Sequence, residues 1–145
     1  MRPDALIDTG PILAMLDESD RWNRTCLATF RQLHFPLLTS EATLTELLHL
    51  VGPSRLQMNA AWQFIRSGAI VMANIEHHEL PQIQALMVRY SDCPMDFADA
   101  TLVYLAKRES ISTIFTVDQD HFAAYRIDTK RQFKILPLER PRRRI

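Results

Sequence analysis

Glycine is scarce in this sequence: only 3 of its 145 residues are glycine. An all-β sandwich or barrel needs many tight turns, in which glycine is the usual residue, so the scarcity argues against that fold class. Cysteine is also scarce. The two cysteines, Cys26 and Cys93, have no metal-binding spacing and are too few for a disulfide scaffold, so we expect reduced, buried thiols.

The sequence also lacks a net charge and a long hydrophobic run. Its 17 Lys and Arg residues balance 17 Asp and Glu residues, so attraction to nucleic acid would have to come from local patches. No segment reaches the roughly 18 apolar residues of a membrane span. Asp4 and Asp8 interrupt the only early apolar run. We therefore expect a soluble, cytoplasmic protein without a secretion signal.

What the sequence does contain is the pattern of a packed α/β domain. Hydrophobic residues make up 47% of the chain. Apolar runs predict strands at residues 5–8, 35–39, 69–72, 114–117 and 133–136, with helices between them. Pro36 indicates that the second strand begins there or lies near a sheet edge. Alternating strands and helices predict a three-layer α/β/α sandwich with a central parallel sheet of about five strands. We assign residues 1–139 to this single domain and residues 140–145 to a basic C-terminal tail.

Two of the predicted strands are followed by an aspartate. The first run leads directly into Asp8, and the fourth leads through Thr116 to Asp118. Because the carboxyl ends of parallel strands meet at one edge of a sheet, we expect these two carboxylates to lie close together. Either aspartate could instead serve only as a turn residue or as the cap of a following helix.

Two further acids stand at the start of a predicted helix. Asp96 and Asp99 are three residues apart, which places both carboxylates on one helix face. Asp96 could be only the N-cap, with Asp99 favoured by the helix dipole. Apolar Phe97, Ala98 and Ala100 surround Asp99 in sequence. A buried carboxylate there would need a cation, a proton or a solvent-filled cleft.

Glutamates are harder to assign from the sequence. Glu46 lies in a predicted helix from Glu41 to Val51, which Ser40 can cap, and by itself it could be an ordinary exposed residue. Glu79 lies early in a helix predicted from His78 to Tyr90, and we interpret it as surface charge.

Several carboxylates in one cleft repel one another unless a divalent cation neutralises them. Oxygen ligands suit Mg²⁺ or Mn²⁺. Such an ion can activate a water molecule for attack on a phosphoryl group. Thr9 and Thr116 could orient the ligating aspartates through hydrogen bonds.

Four segments together resemble the PIN-domain family, which includes VapC-type toxins. They are Leu6-Ile7-Asp8-Thr9-Gly10-Pro11, Leu44-Thr45-Glu46-Leu47, Pro94-Met95-Asp96-Phe97-Ala98-Asp99-Ala100 and Phe115-Thr116-Val117-Asp118. The resemblance spans nearly the whole chain. It implies an endoribonuclease that uses Mg²⁺ or Mn²⁺ to hydrolyse RNA, leaving a 5′-phosphate and a 3′-hydroxyl. It implies the catalytic acids Asp8, Glu46, Asp99 and Asp118 and the metal ligands Asp8, Asp96, Asp99 and Asp118.

One position departs from the family pattern. Relatives often carry an aspartate three residues after the last acid, where this chain has His121, while Asp120 stands one residue earlier. The resemblance therefore assigns no role to Asp120, and the departure could alter the affinity for the metal or the choice of metal.

The resemblance also implies partners, because many relatives are homodimers and many are held inactive by an antitoxin. Trp22, Trp62 and Phe64, together with the predicted helix at residues 54–66, offer more apolar surface than a small domain readily buries. We therefore expect a homodimer or an antitoxin-bound assembly, with RNA as the substrate. The arginines of the tail could contact RNA phosphates or only aid solubility; they are Arg140, Arg142, Arg143 and Arg144.

Two alternatives to a ribonuclease remain open. A non-catalytic RNA- or partner-binding module with the same fold is favoured by the zero net charge and by His121. A metal-dependent phosphatase that acts on small phosphate esters would use the same acids. An open groove with a basic rim would favour RNA, whereas a closed pocket would favour a small ester.

Overall fold

The structure, a computed structural model, describes residues 2–142 of the chain. Helices and strands alternate along most of it. In chain order they are β1 (Ala5–Ile7), α1 (Thr9–Leu16), α2 (Asn23–Gln32), β2 (Leu37–Ser40), α3 (Glu41–Val51), α4 (Arg55–Arg66), β3 (Ile70–Ala73), a 3₁₀ turn (His77–Glu79), α5 (Leu80–Arg89), α6 (Phe97–Glu109), β4 (Thr113–Phe115), α7 (Gln119–Ala124) and β5 (Lys134–Leu136).

The five strands form one parallel sheet in the order β3-β2-β1-β4-β5. On central β1, Leu6 lies opposite Leu38 of β2 on one side and opposite Ile114 of β4 on the other. The chain therefore builds the sheet first towards one edge and later towards the other. This reversal opens a crevice at the carboxyl ends of β1 and β4, where parallel sheets place their sites.

Successive residues of β1 face opposite helical layers, as the pleat of a strand requires. Ala5 and Ile7 pack in a core with residues of α1, α2, α3 and α4. Leu6 packs in a second core with residues of α5, α6 and α7. The predicted three-layer α/β/α sandwich with a parallel sheet of five strands is confirmed.

Side-chain caps begin the helices that carry the acids. Ser40 Oγ accepts a hydrogen bond from the Thr43 N–H at 3.2 Å, which starts α3 as expected from the sequence. Asp96 Oδ1 accepts one from the Asp99 N–H at 2.8 Å and starts α6. The N-cap interpretation of Asp96 is thus correct, and the cap places Asp99 in the first turn of α6.

Of two local predictions, one is confirmed and one was wrong in detail. β2 begins at Leu37, directly after Pro36, which is one of the two predicted alternatives, and it lies between β1 and β3 rather than at a sheet edge. The helix predicted from His78 to Tyr90 is divided into the 3₁₀ turn and α5. A reciprocal pair of side-chain and backbone hydrogen bonds between Glu76 and Glu79 closes that turn.

The interpretation of Glu79 as surface charge was also wrong. Its carboxylate accepts hydrogen bonds from the Tyr104 hydroxyl at 2.6 Å and from Arg108 Nη1 at 2.8 Å. The Tyr104 hydroxyl, the Glu76 N–H and Arg108 together lower the pKa of Glu79 to about 2. These contacts join the beginning of α5 to the second half of α6.

The structure also describes the cysteines, the apolar character of the helices and the exposed residues of α4. Both cysteines are free, with Cys26 buried and Cys93 half-buried. Within residues 2–142, no helix has the length and apolar character needed to cross a membrane. On α4, the side chains of Leu56 and Trp62 are 81% and 46% exposed.

Candidate active site

The acids predicted from the sequence line one cavity of about 320 Å³. They reach it from separate points: the turn after β1, α3, both the cap and first turn of α6, and the segment after β4. The structure brings together Asp8, Glu46, Asp96, Asp99 and Asp118. The cavity lies at the crevice between the carboxyl ends of β1 and β4.

Asp8 is held on both carboxylate oxygens. Oδ1 accepts a hydrogen bond from the Thr9 N–H at 2.8 Å, which makes Asp8 the N-cap of α1. Oδ2 accepts one from Thr116 Oγ1, also at 2.8 Å. Thr9 thus orients Asp8 through its backbone N–H. The Thr9 hydroxyl donates elsewhere, to the Thr43 carbonyl at 3.2 Å. The carboxylate of Asp8 therefore both caps α1 and lines the cavity.

Asp99 is the second buried acid, with only 8% of its surface exposed. The hydroxyl of Tyr125 donates a hydrogen bond to Asp99 Oδ2 at 3.1 Å. Tyr125 was not predicted as a site residue from the sequence. The contact joins residues 26 positions apart, so no local pattern signals it.

Burial and mutual repulsion perturb the acids of the cavity. Burial, with repulsion from Asp8 and Asp96, raises the pKa of Asp99 to about 7. Burial also raises the pKa of Asp8 to about 6, although hydrogen bonds from Thr116 and Thr9 oppose the rise. The pKa of Glu46 is raised by burial, then by Asp8 and Asp96. These groups resist being charged together without a cation.

Asp118 stands at the N-cap position of α7 but makes no side-chain cap bond there. Its Oδ2 forms a hydrogen bond of 2.9 Å with Nδ1 of His121 instead. This hydrogen bond, followed by the charge of Asp118, raises the pKa of His121. The Asp118 N–H donates to Thr116 Oγ1 at 3.0 Å, so one threonine hydroxyl links Asp118 to Asp8. The departure from the family pattern therefore puts an imidazole beside the last acid.

Close backbone packing brings α1 to the cavity. A Cβ atom placed on Gly10 would overlap Cγ2 of Val117, the residue before Asp118. Both residues line the cavity. The glycine lets the first turn of α1 lie directly against the segment after β4.

No three histidine, cysteine or carboxylate side chains of residues 2–142 are grouped closely enough to hold one ion as they stand. The carboxylates are instead spread around the cavity wall. Their chemistry fits a divalent cation, because all five acids offer oxygen ligands. A hard cation would also stabilise the charged forms of Asp8 and Asp99, whose pKa values burial raises.

The basic tail is only partly described. Arg140 donates from Nη2 to Asp120 at 2.7 Å and from Nε to Gln119 at 3.0 Å, which fastens it to α7. Arg142 is exposed. Arg143 and Arg144 lie outside the described residues. Contact between these arginines and RNA stays a prediction, as does the domain boundary before Arg140.

Sequence and structure comparisons relate the chain to known proteins. The family model of the PIN domain matches residues 5–128. Ribonuclease VapC26 of Mycobacterium tuberculosis is 30% identical over 135 residues, which cover 91% of this chain and 99% of that protein. The crystal structure of M. tuberculosis VapC20, a toxin that cleaves the sarcin-ricin loop, matches with a TM-score of 0.74 and 20% identity. That match covers 83% of this chain and 94% of VapC20. The chain belongs to the PIN domain family.

Proposed function

We propose that the protein is a metal-dependent endoribonuclease of the cytoplasm, the toxin of a toxin-antitoxin pair, and that it cleaves RNA at the acidic cavity. The observation that carries the proposal is the convergence of five acids on one cavity at the β1–β4 crevice. Membership of the PIN domain family and the similarity to Ribonuclease VapC26 over nearly the full length of both chains support it.

Asp8 and Asp99 are the residues best placed to hold Mg²⁺ or Mn²⁺, because both are buried and fixed by hydrogen bonds. Asp96, Asp118 and Glu46 would complete the ligand set directly or through water. When bound, the ion neutralises the carboxylates, lowers the pKa of a bound water and stabilises charge on the phosphoryl oxygens.

The residues of the chain orient the groups that react. Thr116 and Thr9 hold Asp8, and Tyr125 holds Asp99, so their oxygens face the cavity in fixed positions. Glu46 is half-buried, and its carboxylate accepts no hydrogen bond within residues 2–142. It is therefore free to accept a proton from the attacking water. Attack on phosphorus breaks the bond to the 3′-oxygen, which takes a proton from solvent and leaves a 5′-phosphate on the other product.

The shape of the cavity favours a polymer over a small ester, because the acids line a crevice that is open to solvent. The basic rim that would favour RNA is not part of the cavity lining, since His121 is the only basic residue among the described residues that line it. RNA phosphates would therefore bind mainly through the metal, and cationic contacts would come from outside the cavity.

Cleavage of a single-stranded RNA by the purified protein should stop in EDTA and return when Mg²⁺ or Mn²⁺ is added in excess. The physical reason is that carboxylates alone would repel the phosphodiester. Gel analysis of a labelled RNA measures the rate, and ligation by an enzyme that requires a 5′-phosphate identifies the product ends.

Asp8→Asn should be inactive under the same conditions, which excludes a contaminating nuclease. The matched control is Asp128→Asn, since Asp128 is exposed, pairs with Arg131 and does not line the cavity. Undiminished cleavage in EDTA, or cleavage by Asp8→Asn at the rate of the control, would rule out the mechanism.

We also propose that the apolar surface of α4 binds either a second copy of the chain or an antitoxin. Trp62 lines a groove of α3, α4 and β3 with Leu44, Leu48 and Met72, and Met72 is 54% exposed. Trp62→Glu should therefore reduce the assembled mass measured by light scattering, with or without the co-expressed antitoxin. A wild-type protein that stays monomeric alone and binds no antitoxin would contradict the proposal.

A further inference from the structure

A second cavity, of about 640 Å³, lies beside the acidic cavity. Glu46 and Asp96 line both, so the two spaces are adjacent. Its walls come from α3, the end of β3, the start of α5 and the start of α6, and they are mainly apolar. The apolar lining residues are Ala42, Ala73, Ile75, Leu80, Phe97 and Ala98. A space of this size is typical of a ligand site.

Phe97 supplies an aromatic surface in the wall of the second cavity, although it does not itself line the acidic cavity. It is the first residue of α6, directly after Asp96, and 48% of it is exposed. In the described part of the chain its ring has no aromatic partner. By contrast, Phe115 and Phe122 are fully buried in the core. An exposed phenyl ring beside a nuclease site offers a base a face on which to stack.

The charge of the second cavity selects what can enter it. Glu41, Glu46 and Asp96 line it, and His49 is the only basic lining residue among those described. These carboxylates repel phosphate, so the sugar-phosphate backbone of RNA is disfavoured there. A nucleobase is neutral, has a flat apolar face and carries N–H donors that a carboxylate can accept.

We propose that this second cavity is a nucleobase subsite, in which one unpaired base of the substrate stacks on Phe97 while the adjacent phosphodiester lies at the acidic cavity. The proposal rests on the proposed ribonuclease function and adds a base-binding residue to it. It implies a single-stranded substrate, because a base within a duplex has both faces covered. Glu41, exposed at the rim, is placed to accept a hydrogen bond from the base edge.

The proposal can be tested by RNA binding without cleavage. A labelled single-stranded oligoribonucleotide is titrated against the wild type, Phe97→Ala, Phe97→Leu and Phe97→Trp in Ca²⁺, a cation that takes oxygen ligands, and a gel checks that the RNA stays intact. Loss of a stacking face should weaken binding about tenfold in the alanine and leucine variants, whereas tryptophan should bind as well as the wild type or better. Leu56→Ala is the control, because Leu56 is exposed on α4 and lines neither cavity.

A second series places a single abasic residue at each position of the oligoribonucleotide. For the wild type, an abasic residue at one position next to the cleaved bond should weaken binding about tenfold. For Phe97→Ala, the same abasic substitution should cause no further loss, because the missing base and the missing ring belong to one contact. Mapping the cleaved bond in Mg²⁺ locates that position.

The outcomes separate this proposal from the proposed function. If RNA is cleaved but Phe97→Ala binds as the wild type does, or if the two losses add, the subsite is wrong and the ribonuclease stands. If no RNA is cleaved, the proposed function fails while the binding series still tests the base contact. If Phe97→Leu binds normally and Phe97→Ala changes the mass by light scattering, a second copy of the chain covers this surface instead, which overturns the proposal.

Discussion

Replacing Asp99 with asparagine is expected to abolish RNA cleavage while making the metal-free protein more stable. Cleavage should fall about 1000-fold or more, because a principal oxygen ligand loses its charge. In EDTA at about pH 8, the free energy of unfolding should rise by roughly 2–4 kcal/mol. The reason is that each unit of difference between the pKa of Asp99 in the folded and in the unfolded chain corresponds to about 1.4 kcal/mol. Urea unfolding and RNA cleavage assays measure the two effects.

The gain in stability should depend on pH in a defined direction. Burial and neighbouring carboxylates raise the pKa of Asp99 from 3.8 to about 7 in the folded chain. The folded state therefore holds a proton that the unfolded state has released, and the resulting stabilisation is complete below pH 3.8 and is lost as the pH rises through 7. Asp99→Asn and the wild type should be equally stable in acid and diverge between these values.

Asp128→Asn provides the matched comparison. Burial is the largest single effect on Asp128 and raises its pKa, but the hydrogen bonds and the charge of Arg131 together outweigh it and leave the pKa lowered. The same substitution there should therefore reduce stability slightly. Cleavage should be unaffected. If Asp99→Asn instead lowers metal-free stability and leaves the enzyme active, Asp99 is a structural residue and the acidic cavity is not the active site.

Replacing Thr116 with valine should have the second-largest effect. The hydroxyl donates to Asp8 Oδ2 at 2.8 Å and accepts from the Asp118 N–H at 3.0 Å, and valine has the same shape without it. Because two buried or half-buried polar groups lose their partner, stability should fall by about 2 kcal/mol. The Mg²⁺ concentration for half-maximal cleavage should rise about 10- to 100-fold, because Asp8 is no longer held.

Thr116→Ser keeps the hydroxyl and removes only the methyl group. It should return the Mg²⁺ concentration for half-maximal cleavage most of the way to the wild-type value. Thr113→Val makes the same change on β4, at a position that lacks the hydrogen bonds of Thr116 to Asp8 and Asp118, and should leave the Mg²⁺ requirement unchanged. A Thr116→Val variant with wild-type metal dependence would show that Asp8 does not need the threonine to bind an ion.

The position of the site was predictable because it follows from short-range sequence patterns. Asp8 comes directly after an apolar run, and Asp118 follows another within three residues of β4. Parallel strands bring such residues to one edge whatever the rest of the chain does. The exact pairing β1–β4 was not predictable from the pattern, because strand order is set by how the helices pack on both faces.

The sequence left open whether Asp8 and Asp96 cap helices or line a cavity of acids, and in the structure each of them does both. Asp96 caps α6 and also lines the cavity, and Asp8 caps α1 while Thr116 binds its other oxygen. This is possible because a carboxylate has about four acceptor positions and a cap uses only one. Only the arrangement of neighbouring segments shows that the remaining positions face a common space.

The amino-acid sequence by itself determined the alternation of strands and helices, the parallel sheet and the carboxylates at its edge, because these depend on residues within one or two turns of each other. The tertiary structure alone decided that Tyr125 binds Asp99, that Glu79 is enclosed by Tyr104, and that Phe97 is left exposed. Those outcomes depend on which distant segments meet after packing. Partners separated by some 25 residues share no local pattern, and exposure is a property of the surface that remains once the layers have closed.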